Sequence, residues 1–410
     1  MASEARICIV TGSHLCRNPR VVKEADTLAG AGYDVTVIGP VFSNELRSED
    51  EELRSDADWT HRISVDLRRT VSGIWARLRR KAGGWLTRQG WDAGDALGYG
   101  VKQTLRQARR ESADLYIGHE EVGTWVVWQL EQEGARVGVD FEDWHARDLL
   151  PEDRGDRPVS LLETVERDLL HRSVHATTTS KALAEALAAA YNAPEPDVLH
   201  NAFPWADREV MDDVTRDRDG SGRVSVHWVS QTIGPGRGLD TLCQALREIE
   251  TPVQVHLRGK CRPDYRSRLD QMFPDEQGHT LHLHGLVPPE ALLSRIAEHD
   301  IGMALEQYEP DSRNLTVTNK IQHYLLGGLA VVATDTEGQK EVADQAGDAV
   351  WLYSVDSPDE MAHQLRMLLQ SDNQLETAQE HALRAAREKF SWEQQAPKLL
   401  ESVEQALVVD

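Results

Sequence analysis

Short β-rich runs alternate with amphipathic helical runs along almost the whole chain. RICIV at 6–10 is a predicted strand, PRVVKEADTLAGAG after it has apolar residues at helical spacing, and YDVTVIG at 33–39 is the next predicted strand. Parallel strands need a crossover connection, which is usually a helix. The alternation therefore predicts an α/β fold in which parallel sheets carry helices on both faces.

The alternation forms two series. Further strands of the first series are predicted at 114–118, 135–141 and 175–180, and those of the second at 223–230, 253–259, 279–285, 301–305, 329–334 and 349–353. A chain of 410 residues is longer than a single hydrophobic core usually organises. We therefore predict two Rossmann-like domains, 1–203 and 204–389, that face a cleft and are followed by a C-terminal helix at 390–410. Open sheets of this kind bind ligands at the carboxyl ends of their strands.

The amino-acid composition limits the classes of function that fit this chain. The net charge is −23, which argues against nucleic-acid binding. Only nine of the 45 basic residues are lysines, which fits either an arginine-rich composition or a salt-adapted, halophile-like surface. The four cysteines show no CxxC or metal-site spacing, and MASEARICIVTG has neither a basic flank nor a long apolar run. We expect a cytoplasmic protein with reduced thiols and no signal peptide.

A glycine-rich turn separates a predicted strand from a predicted helix in WVSQTIGPGRGLDT, residues 228–241. An arginine in such a turn meets phosphate oxygens in bidentate geometry, and bare glycine backbone lets amides approach them. Arg237 is therefore either a phosphate ligand or a solvated charge in a turn with unusual backbone angles.

Longer segments resemble the retaining nucleotide-sugar glycosyltransferases of the group 1 class (family four), which have the two-Rossmann GT-B fold. The resemblance lies in NPRVVKEADTLAGAGYDVTVIG, TTTSKALAEALAAAYNAPEPDVLHNAFP, VSQTIGPGRGLDTL, HGLVPPEALLSRIAEHDIGMAL and TNKIQHYLLGGLAVVATDTEGQKEV. It implies a transferase of polysaccharide biosynthesis that moves a sugar from a nucleotide-diphosphate sugar to a glycan, lipid-linked or small-molecule hydroxyl. It also implies retention of configuration and no required metal or other cofactor.

By this resemblance, the donor-binding residues lie mainly in the second half. Arg237 stands where the family has its phosphate-binding lysine, Gln231 where it has arginine, and Lys320 where it has Asn-Lys. The family's two glutamates, eight positions apart, correspond to Leu315 and His323. Leu315 cannot replace a carboxylate, whereas His323 can hydrogen-bond a ribose hydroxyl.

Other groups are candidates for donor binding as well. We predict that backbone amides of Thr316 and Val317 hold phosphate at a helix N-terminus, and that Glu306 or Glu309 supplies the missing carboxylate. Two further candidates lie in the first half. Gly12 lets backbone approach the donor phosphates or simply forms a strand–helix turn, and Arg20 points into the cleft or lies on a surface helix.

The candidate catalytic groups follow two predicted strands of the first half. His119 comes after DLYIG, where the family often has a histidine that faces the sugar and acceptor; a satisfied buried histidine is the alternative. DFEDWHARD (140–148) is dense in ionisable groups. Its Glu142, Asp143 and His145 are candidates for acceptor binding or for receiving the acceptor proton, with metal ligation as the runner-up.

Residues 62–110 form a basic segment in this acidic chain, with twelve Arg or Lys against three acidic residues. Tryptophans at 75, 85 and 91 lie among its arginines, although Gly83 and Gly84 interrupt the helical pattern. The segment is either a peripheral membrane-surface element for an anionic leaflet or a helix pair whose arginines meet the protein's own carboxylates.

A second function class stays open. Leu315 and Gln231 favour a catalytically weak partner protein of the same fold that binds nucleotide sugar or glycan. A dinucleotide oxidoreductase is disfavoured, because no GxGxxG follows the first predicted strand.

Overall fold

The computed structural model describes residues 5–68, 71–212 and 222–408. The chain divides into two compact units. The first consists of Met1–Leu199, Pro310–Ser312 and Ala396–Asp410, and the second of His200–Glu309 and Arg313–Gln395.

The first unit is built on a parallel sheet. Within the described residues it has seven strands in the order β3-β2-β1-β4-β5-β6-β7. The strands are β1 (Arg6–Val10), β2 (Asp34–Val41), β3 (Thr60–Asp66), β4 (Leu115–His119), β5 (Val137–Phe141), β6 (His175–Thr178) and β7 (Asp197–Val198). Its helices are α1 (Pro19–Gly30), α2 (Asn44–Leu53), α3 (Val71–Arg88), α4 (Val101–Glu111), α5 (Glu120–Glu131), α6 (Val159–Arg172) and α7 (Lys181–Tyr191).

Local chemistry sets where these helices begin. The Asn18 side chain accepts a hydrogen bond from the amide of Val21 at the start of α1, and Pro19 fills the first helical position, where no amide partner is needed. Ser180 caps α7 in the same way through the amide of Leu183.

The second unit repeats this plan with six described strands in the order β10-β9-β8-β11-β12-β13. They are β8 (Ser225–Ile233), β9 (Gln254–Cys261), β10 (Thr280–His284), β11 (Ile301–Ala304), β12 (Ala330–Thr334) and β13 (Val350–Tyr353). The helices that follow the first unit's are α8 (Leu239–Leu246), α9 (Pro263–Met272), α10 (Pro289–Ala297), α11 (Asp311–Leu315), α12 (Asn319–Gly327), α13 (Glu337–Ala346), α14 (Pro358–Leu369), α15 (Asp372–Glu388) and α16 (Trp392–Val408).

Hydrophobic cores lie on both faces of the second sheet. On the interior strand β12, Ala330 and Val332 belong to one core, whereas Val331 and Ala333 belong to the other. A strand that is buried on both faces is a continuous apolar run, as LAVVAT is.

The predicted α/β architecture with parallel sheets is confirmed. All eleven predicted strands occur within the described residues, with ends shifted by up to three positions, while β3 and β7 were not predicted. The expected interruption at Gly83 and Gly84 was wrong, because α3 runs through both glycines. Among the described helices, none is both long and apolar enough to cross a bilayer.

Candidate functional site

Neighbouring strand ends in the first unit bring ionisable side chains together. β4 lies between β1 and β5, and His119 at the end of β4 is in register with Asp140 on β5. Glu142 follows β5 directly, and α1 carries Arg20 and Glu24 to the same edge of the sheet. We call these five side chains the strand-end cluster.

His119 links two carboxylates. Its Nε2 lies 3.0 Å from Glu24 Oε2 and its Nδ1 lies 3.1 Å from Glu142 Oε1. The Nδ1 contact is a hydrogen bond, whereas the Nε2 contact is an ion pair without hydrogen-bond geometry. Both contacts are favourable together when the ring is protonated. Burial alone would lower the pKa of His119, but Glu24 and then Glu142 outweigh it and raise this pKa well above 6.5. His119 is fully buried between these two carboxylates, which agrees with the alternative of a satisfied buried histidine, and it positions Glu142.

Arg20 is a structural group, which corrects the predicted cleft or surface position. It is fully buried, and its Nε and Nη2 donate to Asp140 Oδ2 at 2.8 and 2.6 Å. Its Nη1 donates to the Leu199 carbonyl at 2.7 Å. Burial would raise the pKa of Asp140, but Arg20, followed by His119, lowers it to about 2. The guanidinium therefore holds β5 to the chain around Leu199.

Gly12 does not offer a free amide to a donor phosphate. Its N–H donates to Glu120 Oε2 at 2.9 Å, and the Glu120 carboxylate also accepts from the hydroxyls of Thr11 and Ser13. A Cβ at position 12 would lie 2.9 Å from Val122 Cβ, so close packing explains the glycine. Glu120 itself adopts a positive φ of 56°, which is strained for a residue with a side chain. No local sequence pattern marks this carboxylate.

The other predicted catalytic residues have different environments. Glu142 is half-buried and accepts from Asn18 Nδ2 at 2.8 Å, and Asp143 is exposed. His145 is buried, and burial followed by Arg157 lowers its pKa to about 4, so its ring is neutral at physiological pH. The strand ends bring Glu142 and His119 into contact, while Asp143 and His145 lie beyond them in the following loop and short 3-10 helix.

Three clusters of ligand-type side chains occur in the described parts of the chain, namely His14–Cys16–Asp50, Glu24–His119–Asp140 and Glu121–His145–Asp148. Each already holds a donor. The Phe42 amide donates to His14 Nε2 at 2.7 Å, and Arg20 occupies the second cluster. Arg157 lies 2.5 and 2.8 Å from the two carboxylates of the third. Each cluster therefore contains at least one side chain that already accepts a hydrogen bond or an ion pair.

The glycine-rich turn of the second unit has the unusual backbone angles that its sequence suggested. Gly236 and Gly238 have φ values of 68° and 72°, and α8 begins directly afterwards at Leu239. Arg237 between them is half-buried, and its Nη1 donates to Ser230 Oγ at 3.3 Å.

Three cations and one carboxylate surround a small pocket in the second unit, which we call the cation pocket. Its walls include Arg237, Arg313, Lys320 and Glu306. Lys320 Nζ lies 2.5 Å from Glu306 Oε1. Burial would raise the pKa of Glu306, but Lys320 outweighs it and lowers this pKa, so the carboxylate is ionised. The pocket thus carries an excess of positive charge. Sequence reasoning missed Arg313, whose neighbours form no recognisable motif.

The other predicted donor-binding residues of the second unit are not among the residues that line the cation pocket. Helix α12 begins at Asn319 with Thr318 as its N-cap, so Thr316 and Val317 lie directly before the helix N-terminus, and the phosphate contact of their amides stays a prediction. His323 stacks on Phe203 with ring centroids 3.6 Å apart. Gln231 is exposed near the end of strand β8.

Similarities to known proteins agree with this architecture. Residues 224–371 match the family model of glycosyl transferases group 1, whereas a search of curated proteins finds no match. Sucrose-phosphate synthase from Thermosynechococcus elongatus is 14% identical over 98% of both chains, with a TM-score of 0.69. Anabaena HepE in complex with UDP and glucose is 16% identical over 98% of this chain and 99% of its own, also with a TM-score of 0.69.

A glycosyltransferase from Rickettsia africae is 12% identical over 100% of both chains, with a TM-score of 0.68. At these identities the structural likeness establishes the fold, and the family model covers the second unit's sheet. Together they identify residues 224–371 as a group 1 glycosyltransferase domain and the protein as a glycosyltransferase with the GT-B fold.

Proposed function

We propose that the protein transfers a sugar from a nucleoside-diphosphate sugar to a hydroxyl of a glycan, lipid-linked or small-molecule acceptor, with retention of configuration. The observation that carries the proposal is the cation pocket, in which Arg237, Arg313 and Lys320 converge with Glu306 as their single carboxylate. A departing nucleoside diphosphate gains negative charge as the glycosidic bond breaks, and fixed cations stabilise that charge.

Each cation would have a distinct task. Arg237 and Arg313 offer planar guanidinium forks that bind phosphate oxygens in pairs, whereas Lys320 is a point charge held in place by Glu306. The positive φ of Gly236 brings bare backbone to the same pocket. UDP is the first nucleotide to test, since HepE was crystallised with UDP and glucose.

In the first unit, Glu142 is the proposed acceptor-binding carboxylate. Burial would raise the pKa of Glu142, but the hydrogen bond from His119 outweighs it and lowers this pKa, so the group accepts a hydroxyl hydrogen bond in its ionised form. Asn18 and His119 fix its orientation. In a retaining transfer, the departing phosphate would take the acceptor proton.

The test is nucleotide affinity by calorimetry. We expect Arg237→Gln/Lys320→Gln to weaken UDP binding by about 1.5–3 kcal/mol for each charge-assisted hydrogen bond that the variant removes, and Arg313→Gln to weaken it by a similar single step. The matched control is Arg268→Gln/Lys340→Gln, which removes two exposed cations of the same unit that pair with Asp240 and Glu337. Equal affinity in both double variants would refute the donor assignment. Dialysis against EDTA is expected to leave transfer unchanged, because the cations replace a metal.

A catalytically weak sugar-nucleotide-binding protein is the second candidate. It is favoured by Leu315, an apolar side chain where the related enzymes carry a carboxylate, and by Gln231 in place of arginine. Chromatography of UDP-glucose incubated with the protein separates the two functions. UDP binding without release of UDP from the sugar nucleotide, with any acceptor, would select the weaker function.

We also propose that the protein is peripheral on the inner face of the cell membrane. Helix α3 packs its small residues Gly73, Ala76 and Gly83 inward. Its large apolar residues face solvent instead, among them Ile74 (54% exposed), Leu78 (52%) and Trp85 (60%). Exposed apolar side chains among arginines are typical of membrane-surface helices.

Vesicle flotation tests this location. Ile74→Gln/Leu78→Gln should reduce co-flotation with anionic vesicles, whereas Leu53→Gln/Leu286→Gln, which changes two similarly exposed residues outside α3, should not. Absence of wild-type co-flotation at moderate salt would exclude the membrane location.

A further inference from the structure

A groove in the first unit has a composition that the donor site does not explain. It has a volume of about 520 Å³ and lies between helices α3 and α4 and the edge strand β3. Its lining includes Ser64, Trp75, Arg79, Gln103, Arg106 and Arg110. We call it the arginine groove.

The three arginines of the groove face no acidic lining residue. Among the described residues, Arg79, Arg106 and Arg110 form no ion pair, although their neighbours do: Arg109 pairs with Glu133 and Lys102 with Asp95. In a chain with 68 acidic residues, three adjacent guanidinium groups without a carboxylate form a strongly positive surface. Such a surface attracts an external anion.

Two polar atoms at the groove also lack partners within the described parts of the chain. Ser64 Oγ and Gln103 Oε1 are buried from solvent and make no hydrogen bond. Each leaves a hydrogen-bonding group unpaired in the protein interior, which is unfavourable. Neither atom is accessible to solvent, so a ligand in the groove bonds to the arginines, and a phosphate ester offers them several acceptor oxygens.

The apolar surroundings point to a ligand at a membrane. Trp75 forms part of the groove and is 58% exposed, and it continues into the outward apolar residues of α3, Ile74 and Leu78. A helix that lies on a leaflet through these residues would hold the groove at the level of the headgroups.

We infer that the arginine groove is a second anion site, which binds the phosphate group of a lipid headgroup or lipid-linked acceptor. The assignment of this phosphate to a lipid rests on the proposed membrane location. The groove's own affinity for phosphate does not depend on that location.

Calorimetry with inorganic pyrophosphate tests the site in solution. The measurement uses the Arg237→Gln/Lys320→Gln chain, so that the cation pocket contributes as little as possible. Adding Arg106→Gln/Arg110→Gln should weaken pyrophosphate binding by about tenfold or more. The control pair Lys102→Gln/Arg109→Gln, which removes the same charge from the same helix, should change it by less than about twofold. An equal reduction in affinity with both pairs would refute the site.

Competition with soluble short-chain lipids identifies the source of the phosphate. Dihexanoyl phosphatidic acid should displace pyrophosphate in the same chain, and dihexanoyl phosphatidylcholine should not. If pyrophosphate binds but phosphatidic acid does not displace it, the assignment to a lipid headgroup is wrong. Because no vesicle is present, this result stands apart from failure of the flotation experiment.

Discussion

At the scale of single residues, the strand-end cluster depends on its charge balance. Arg20 and a protonated His119 face the carboxylates of Glu24, Asp140 and Glu142, and four of the five are almost completely buried. Removing one buried partner leaves an uncompensated charge, whereas neutralising a matched pair costs far less.

His119→Gln should therefore lower the free energy of unfolding by about 3 kcal/mol or more. His119→Gln/Glu24→Gln restores the wild-type balance of the cluster and should be more stable than the single variant. Urea unfolding of the wild type, the two single variants and the double variant gives the coupling directly. Strictly additive effects would show that His119 and Glu24 do not share a charge interaction.

His175 is a buried histidine whose pKa is lowered, in contrast to the raised pKa of His119. Burial lowers its pKa to about 4 despite Asp140 nearby, and its Nδ1 lies 2.9 Å from Ser402 Oγ. The unfolded chain takes up this proton near the ordinary pKa of 6.5, and the folded state does so only near 4. As the pH falls from about 6.5 to about 4, His175 therefore lowers the free energy of unfolding by up to about 1.4 kcal/mol per pH unit.

Unfolding of His175→Gln relative to wild type tests this sign. The variant should be the less stable protein at about pH 7.5, because it lacks a packed ring, and the difference should shrink or reverse by about pH 4.5. Groups that titrate equally in both proteins do not contribute to the difference between their free energies of unfolding. A constant difference across this range would mean that His175 is protonated equally in both states.

Single residues were also where the sequence was least informative. Arg20 has the position of a cleft arginine, but its partner Asp140 lies 120 positions away, and nothing local indicates their pairing. The amide of Gly12 was likewise expected to be free, and Glu120 binds it in the fold. Arg237 was found because its glycine neighbours signal a special backbone, whereas Arg313 has no such neighbours.

At the scale of elements, the strands could be predicted because most are short buried apolar runs. Strand β3 was missed, since Val65 is its only buried residue and the rest are polar or exposed, as suits an edge strand. Helix α3 shows the converse limit. The glycine pair weakens a helix in isolation, but the sequence does not show which backbone packs against it.

The two adjacent glycines of α3 should respond oppositely to alanine. A Cβ on Gly83 would lie 2.7 Å from the Ala96 amide nitrogen, whereas the nearest atom to one on Gly84 is the flexible end of Arg80 at 3.4 Å. Gly83→Ala should therefore destabilise the protein by about 1–3 kcal/mol. Gly84→Ala should stabilise it by up to about 1 kcal/mol through helix propensity. Thermal unfolding of both variants decides this, and equal shifts would mean that α3 does not pack through Gly83.

At the scale of the whole molecule, charge is distributed unevenly. The chain carries −23 in total, yet residues 62–110 carry nine more basic than acidic residues. Repulsion among the acidic remainder opposes folding, while the basic segment favours anionic surfaces. Salt screens both effects, so it should act on stability and on membrane binding in opposite directions.

Raising NaCl from about 10 to about 500 mM shortens the screening length from about 30 Å to less than about 8 Å. The melting temperature should rise over this range, most steeply at the low end, because self-repulsion of the acidic surface weakens. Co-flotation with anionic vesicles should fall over the same range, since each basic group near the leaflet contributes only about 1 kcal/mol in the absence of screening. A melting temperature that does not change with salt would contradict the salt-adapted surface. Vesicle binding that persists at the highest salt would instead mean that the apolar residues of α3, rather than its arginines, hold the protein to the bilayer.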